Sequence, residues 1–170
     1  MMMMNRRACI RPILFFACSL LVVSCTDQVN EQDLCQRYFE PYPDLISGRT
    51  RTEKNATYLD AMALYAQGDL AGAEPLLRQY LQRRDAHDGA HLYLASCLLA
   101  MDKPYDAELE LDHLERSNLS NFKDQVEWYT TLCLLCSGQT ERALEAAKGV
   151  AQQGRHTYRQ EATKLVHELQ

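Results

Sequence analysis

"AMALYAQGDLAGAEPLL" (residues 61–77) returns as "ASCLLAMDKPYDAELEL" (95–111) and again as "TLCLLCSGQTERALEAA" (131–147). Ala61, Leu64, Gly68, Ala73 and Leu77 thus align with Ala95, Leu98, Asp102, Ala107 and Leu111. They align next with Thr131, Leu134, Gly138, Ala143 and Ala147. The first step is 34 residues and the second 36, and the two extra residues fit in the polar stretch "ERSNLSNFKD" (115–124). Lengthening such a connection costs little. Each copy has helical apolar spacing, a turn, and a second helical stretch. Helices this short are marginal alone, so each pair must bury its apolar faces against its neighbours.

A 34-residue period with small residues where two helices cross resembles the tetratricopeptide repeat. The resemblance implies an all-α, right-handed helical solenoid of three helix-turn-helix repeats at about residues 54–86, 87–119 and 121–154. Tyr158, Ala162, Leu165, Val166 and Leu169 share one face of a further helix, so residues 155–169 are expected to cap the stack. Gly68-Asp69 and Gly138-Gln139-Thr140 supply a helix terminator followed by an N-cap. In the middle copy Asp102 is expected to cap, and Pro104 suits the first helical turn. Pro75 falls inside the second helix of the first repeat, where a kink is expected.

The start of the chain has a different character. Arg6, Arg7 and Arg11 precede the apolar run Pro12–Val23. That run is too short for the roughly 20 residues of a membrane-spanning helix, and it suits an export signal. It ends in Val22-Val23-Ser24-Cys25, which resembles a bacterial lipobox. The resemblance implies removal of residues 1–24 and lipidation of Cys25, leaving the protein on the bacterial cell envelope, facing the periplasm. The three charges removed are all basic. Of the 18 Lys+Arg and 23 Asp+Glu in the whole chain, 15 and 23 remain, a net charge of about −8. An acidic surface repels phosphates, which argues against nucleic acid and anionic lipid as partners; membrane attachment falls to the acyl chains.

Residues 25–53 read as a lipidated N-terminus and polar tether with one apolar knot, "CQRYFEPYPDLI". Tyr38, Phe39 and Tyr42, with Pro41 and Pro43 holding the backbone extended, are too apolar for a tether. Two sites fit them: the open end of the first repeat, or the concave face. At least partial contact with the concave face is expected, leaving the surface near Trp128 open for a partner.

Export leaves Cys35, Cys97, Cys133 and Cys136 in an oxidising compartment, where three full pairings are possible. Cys133-Leu-Leu-Cys136 has the spacing of redox and zinc sites. It lies at a helix C-terminus, however, where the dipole disfavours a thiolate, and Cys133 shares its register with Ala63 and Cys97. Both cysteines of the pair are read as packing, and no bridge between Cys97 and Cys133 is expected. His87 and His91, four apart, suit an inter-repeat loop better than a metal site, because Gly89 between them weakens a helix. His113, His156 and His167 read as isolated on polar faces. No catalytic constellation, cofactor motif or metal site emerges, so the chain does not read as an enzyme.

In tetratricopeptide proteins the first helix of each pair lines the ligand-binding concave face. Carried onto this register, that face presents Tyr58, Met62 and Tyr65, then Leu92, Ser96 and Leu99, then Trp128, Leu132 and Leu135, with Cys136 beside them. The segments "RYFEPYPDLI", "VEWYTTLCLL" and "HTYRQEATKLVHEL" resemble parts of bacterial envelope tetratricopeptide proteins. Those occur as lipoproteins and as exported tails of membrane proteins, some encoded beside alternative sigma factors. The resemblance implies a lipid-anchored scaffold for a protein or peptide partner. The alternatives are an exported arm of a membrane signalling system and a thiol- or metal-dependent accessory enzyme using His87, His91, Cys133 and Cys136.

Overall fold

The computed structural model describes residues 31–117 and 120–170, so the signal segment expected at 1–24 and the expected lipidation site Cys25 lie outside the described residues. Among the described residues there are α-helices and one short 3-10 turn, and no strand. The three repeats are α2 (Ala56–Ala66) with α3 (Leu70–Leu81), α4 (Ala90–Ala100) with α5 (Pro104–Arg116), and α6 (Lys123–Cys136) with α7 (Thr140–Gln152). Helix α8 (Arg159–Glu168) packs on α7 and closes that end, and α1 (Glu31–Tyr38) lies against α6. No described helix is long and apolar enough to cross a membrane.

The recurring residues are the ones that vanish from solvent. Ala61, Ala95 and Thr131, then Ala73, Ala107 and Ala143, and then Leu77, Leu111 and Ala147 are buried in all three copies. Small side chains at the crossing let paired helices approach closely enough to exclude water from the larger leucines beside them. Helix α4 goes further: Leu92 to Leu99 are buried without interruption. A helix apolar all round is one covered on every side. Helices α3, α5 and α6, the tyrosines of α2 and the N-terminal segment all contribute to that cover.

The turn inside each repeat has one hydrogen-bond pattern, repeated three times. Asp69, Lys103 and Gln139 N–H donate to the carbonyls of Leu64, Leu98 and Leu134 at 3.0, 2.9 and 2.9 Å. Gly68, Asp102 and Gly138 N–H donate to those of Tyr65, Leu99 and Leu135 at 3.0, 3.0 and 3.1 Å. This is a Schellman ending, which requires a left-handed residue at the centre. Gly68 and Gly138 supply it at φ 81° and 73°, and Asp102 at φ 57°. Asp102 therefore does the work of a glycine and does not cap; the residue at the N-cap of α5 is Lys103. Asp69 does cap, its Oδ1 accepting from Gly72 N–H at 2.9 Å. Helix α3 continues through Pro75, whose ring is exposed, because Ala73, Leu77 and Tyr80 are buried on either side of it.

The N-terminal segment departs from the tether reading. Residues 31–38 are helical, with Leu34 fully buried, and the helix ends where Pro41 and Pro43 force extension. Cys35 on α1 is bonded to Cys136 at the end of α6, with Sγ–Sγ 2.07 Å and Cα–Cα 5.0 Å. Reading both cysteines of Cys133-Leu-Leu-Cys136 as packing is thus half corrected. Cys133 and Cys97 are free and buried, with no bridge between them, whereas Cys136 is a crosslink.

Candidate functional site

Every residue assigned above to the concave face is buried: Tyr58, Met62 and Tyr65, Leu92, Ser96 and Leu99, Trp128, Leu132 and Leu135. The chain's own residues 38–46 lie against part of this face, at Tyr65, Ser96 and Trp128 and at the neighbouring Tyr93 and Tyr129. This strap runs from α6 across α4 to α2, and the groove holds it mainly by its backbone. Tyr129 donates its hydroxyl to Glu40 O (2.8 Å), Tyr65 to Tyr42 O (2.7 Å) and Tyr93 to Pro43 O (3.3 Å). In the other direction, Tyr42 N–H donates to Ser96 Oγ at 3.2 Å and Leu45 N–H to Tyr93 Oη at 3.2 Å. Pro41 and Pro43, both exposed, flank the buried Tyr42 and hold the backbone extended.

Rings complete the grip. The Tyr42 ring meets Tyr93 at 5.4 Å and Tyr129 at 6.3 Å between centroids. Tyr93 meets Tyr65 edge-on at 5.3 Å and Tyr58 at 6.3 Å, and Tyr58 stacks on Tyr80 at 4.6 Å. Edge-on and offset contacts suit the ring quadrupoles and add to the area buried. Burial pushes the phenols up, Tyr93 and Tyr158 to about 12, and raises Tyr65 and Tyr129 as well. The hydroxyls therefore stay protonated as donors. Phe39 is only partly buried at the edge of the core, so of the three aromatics Tyr42 is the anchor.

The surface near Trp128 is less open than the sequence implies. Trp128 is 3% exposed: Tyr158 stacks on it at 5.6 Å and Tyr38 meets it edge-on at 6.5 Å. What stays accessible is a cavity of about 480 Å³ beside these rings, lined also by Pro41, Pro43, Glu161 and Lys164. Tyr38 Oη donates to Glu168 Oε1 at 2.7 Å and Arg37 pairs with Glu168 Oε2 at 2.8 Å, tying α1 to α8.

The residues of the enzyme alternative do not converge. Desolvation pushes the Cys97 thiol up to about 12 and raises Cys133 too, which suits buried packing and not a nucleophile. His87 Nδ1 accepts from Gly89 N–H at 3.0 Å, while His91 Nδ1 meets Glu110 Oε2 at 2.7 Å. No group of three or more His, Cys, Asp or Glu that could hold a metal is formed among the described residues. Two histidines read as isolated are not: His113 stacks on His91 at 4.8 Å, and His156 is buried. His156 Nδ1 accepts from Tyr158 N–H at 3.1 Å, and its Nε2 lies 3.4 Å from Glu127 Oε2. It joins α6 to the turn before α8, as does Asp124, which accepts from Thr157 N–H and Oγ1 at 2.7 and 2.8 Å.

The family described as "Tetratricopeptide repeat" matches residues 64–121, from the end of α2 through α5 to the approach to α6. No curated protein and no solved structure matches the chain. Fold and match together define a tetratricopeptide-like helical repeat protein, a class of scaffold that generally binds protein partners. In this one the N-terminal strap lies against the first helices of all three repeats.

Proposed function

We propose that the protein is a lipid-anchored scaffold of the bacterial cell envelope, facing the periplasm, whose repeat surface holds a protein or peptide partner. The observation that carries the partner reading is the strap itself. The groove already grips an extended chain, with three tyrosine hydroxyls on main-chain carbonyls and Ser96 on an amide. Main-chain recognition of this kind transfers to any extended segment that places its carbonyls and amides in the same pattern. The cavity beside Tyr158, Glu161 and Lys164 offers a second point of entry, next to the occupied groove. Attachment rests on Cys25 in its lipobox-like setting. Even fully extended, the six Cα–Cα steps from Cys25 to Glu31 reach only about 20 Å, which keeps the α1 end near the bilayer.

Photo-crosslinking residues placed at Glu161 and Lys164, and at exposed Gln79 on α3 as the control, test the partner reading in intact envelopes. A discrete adduct from positions 161 and 164 but not from 79 is expected; equal adducts from all three would overturn it. For the anchor, Cys25→Ala should abolish incorporation of labelled fatty acid, and equal labelling of variant and parent would refute lipidation.

A further inference from the structure

The strap is pinned at both ends. Downstream it joins α2 through the exposed residues 47–54, and upstream Cys35 is bonded to Cys136. Between these points the holds are non-covalent: hydrogen bonds, ring contacts, the Arg37–Glu168 pair and the burial of Tyr42 and Ile46. The two bonded cysteines are partly exposed, unlike the buried Cys97 and Cys133. A disulfide within reach of solvent is one that an external thiol can attack.

We propose that Cys35–Cys136 is a redox latch on the groove: reduction lets an extended, proline-flanked aromatic peptide replace residues 38–46. The inference rests on the partner-binding reading above and adds its regulation and the chemistry of the ligand. The exchange needs a dithiol reductant. Its thiolate attacks one cysteine sulfur, the Sγ–Sγ bond breaks, and the electron pair leaves on the other sulfur, which takes a proton. The second thiol of the reductant then attacks the mixed disulfide and frees the second cysteine as a thiol. Two electrons and two protons pass to Cys35 and Cys136, and the dithiol becomes a disulfide.

The latch works through effective concentration. A strap tied at both ends that peels away stays over the groove and rebinds faster than a free peptide arrives. With the upstream tie cut, α1 and the strap can swing out on the 47–54 hinge, and the groove becomes open to competition. Its chemistry defines the competitor. Carbonyls must stand where Glu40, Tyr42 and Pro43 place theirs, and an aromatic ring must fit between Tyr93 and Tyr129. The residues flanking that ring must hold the chain extended, as the exposed Pro41 and Pro43 do here.

The probe is a fluorescent peptide of residues 38–46 with blocked ends, titrated into the full chain in detergent. Binding is measured on oxidised protein, on protein reduced with a dithiol, and on the Cys35→Ser/Cys136→Ser variant, with hydrogen exchange of the strap followed in parallel. Reduction and the double variant should each tighten peptide binding at least roughly tenfold and speed strap exchange. A peptide with alanine for its central tyrosine should not bind. Equal binding to oxidised and reduced protein overturns the latch and leaves the groove as a partner site. Faster strap exchange without peptide binding overturns the groove as a partner site, and this proposal with it. Should the double variant unfold, Tyr42→Ala keeps the disulfide while loosening the strap. Its peptide binding should still require reduction, and binding without reduction refutes the latch.

Discussion

Tyr65 on α2 donates its hydroxyl to the carbonyl of Tyr42 at 2.7 Å, so the first repeat holds a strap that begins on the third. Tyr58, two helical turns away in the same stripe, is also buried, yet no protein group partners its hydroxyl. The same substitution should therefore act differently at the two sites. Tyr65→Phe leaves a carbonyl unpaired in a dry groove and should cost about 1–2 kcal/mol. Tyr58→Phe removes a hydroxyl that has no partner and should be neutral or stabilising while keeping the stack on Tyr80. Urea unfolding of the two variants decides, and equal losses would contradict the hydrogen-bond assignment.

The disulfide closes a loop of 101 residues, and removing a crosslink over that span should cost about 4–5 kcal/mol through the entropy of the unfolded chain. Denaturant midpoints of parent and Cys35→Ser/Cys136→Ser measure it. Alkylation of denatured, unreduced protein should modify Cys97 and Cys133 and leave a peptide pair linked through Cys35 and Cys136. A mass showing any other pairing refutes the arrangement.

The turn residues predict opposite signs for opposite exchanges. Asp102 sits at φ 57°, where a side chain is strained and glycine is not, so Asp102→Gly should stabilise by about 0.5–1 kcal/mol. Gly68→Ala and Gly138→Ala place a Cβ at φ 81° and 73° and should each cost about 1 kcal/mol or more. Thermal melts of the three variants test the shared Schellman geometry, and a destabilising Asp102→Gly would break it.

The repeat was legible because its physics is periodic: Ala73, Ala107 and Ala143 recur where helices cross, and all three are buried. The concave stripe followed from the same register, and the prolines and tyrosines of "YFEPYP" pointed to docking. The crosslink was not legible in this way. Cys136 stands where Ala66 and Ala100 stand in the earlier copies, so the register marks it as a small residue and hides its bond. Its partner Cys35 lies outside any repeat, and periodicity says nothing about that segment. The one available signal was placement: once Tyr38 is set against Trp128, Cys35 falls one helical turn earlier, on a helix packed against α6. His156 was hidden for a related reason, since its burial depends on how the turn before α8 folds back on α6.

The groove should open in alkali. Tyr93 and Tyr158 have an ordinary value of 10.0 and are raised to about 12, chiefly by desolvation; Tyr38 is raised to about 12 by desolvation and its bond to Glu168. A phenol with the higher pKa in the folded state holds its proton more tightly there. Its stabilising contribution is complete below pH 10 and is lost as the pH rises from 10 to about 12. Tyrosinate absorbance and hydrogen exchange of the strap should change together over that window. Titration of all tyrosines near pH 10 with the strap still protected would refute the assigned burial.

Trp128 is the chain's one tryptophan, and its emission should report the strap directly. Its ring lies between Tyr158, stacked at an interplanar angle of 11°, and Tyr38, which meets it edge-on at 66°. The open surface near Trp128 expected from the sequence would leave this emission nearly unchanged on removal of residues 36–46. The structure reverses that expectation, because Tyr38 and the rest of the strap keep water from the indole. Tyr38→Ala removes the edge contact and the hydroxyl's bond to Glu168, for about 1–3 kcal/mol, and uncovers one side of Trp128. Emission should shift to the red and become more open to acrylamide quenching. Tyr105→Ala, at an exposed position on α5 outside this cluster, should change neither. If Tyr38→Ala leaves emission and quenching unchanged while Tyr158→Ala alters both, Trp128 is shielded by α8 alone, and the strap does not reach the third repeat in solution.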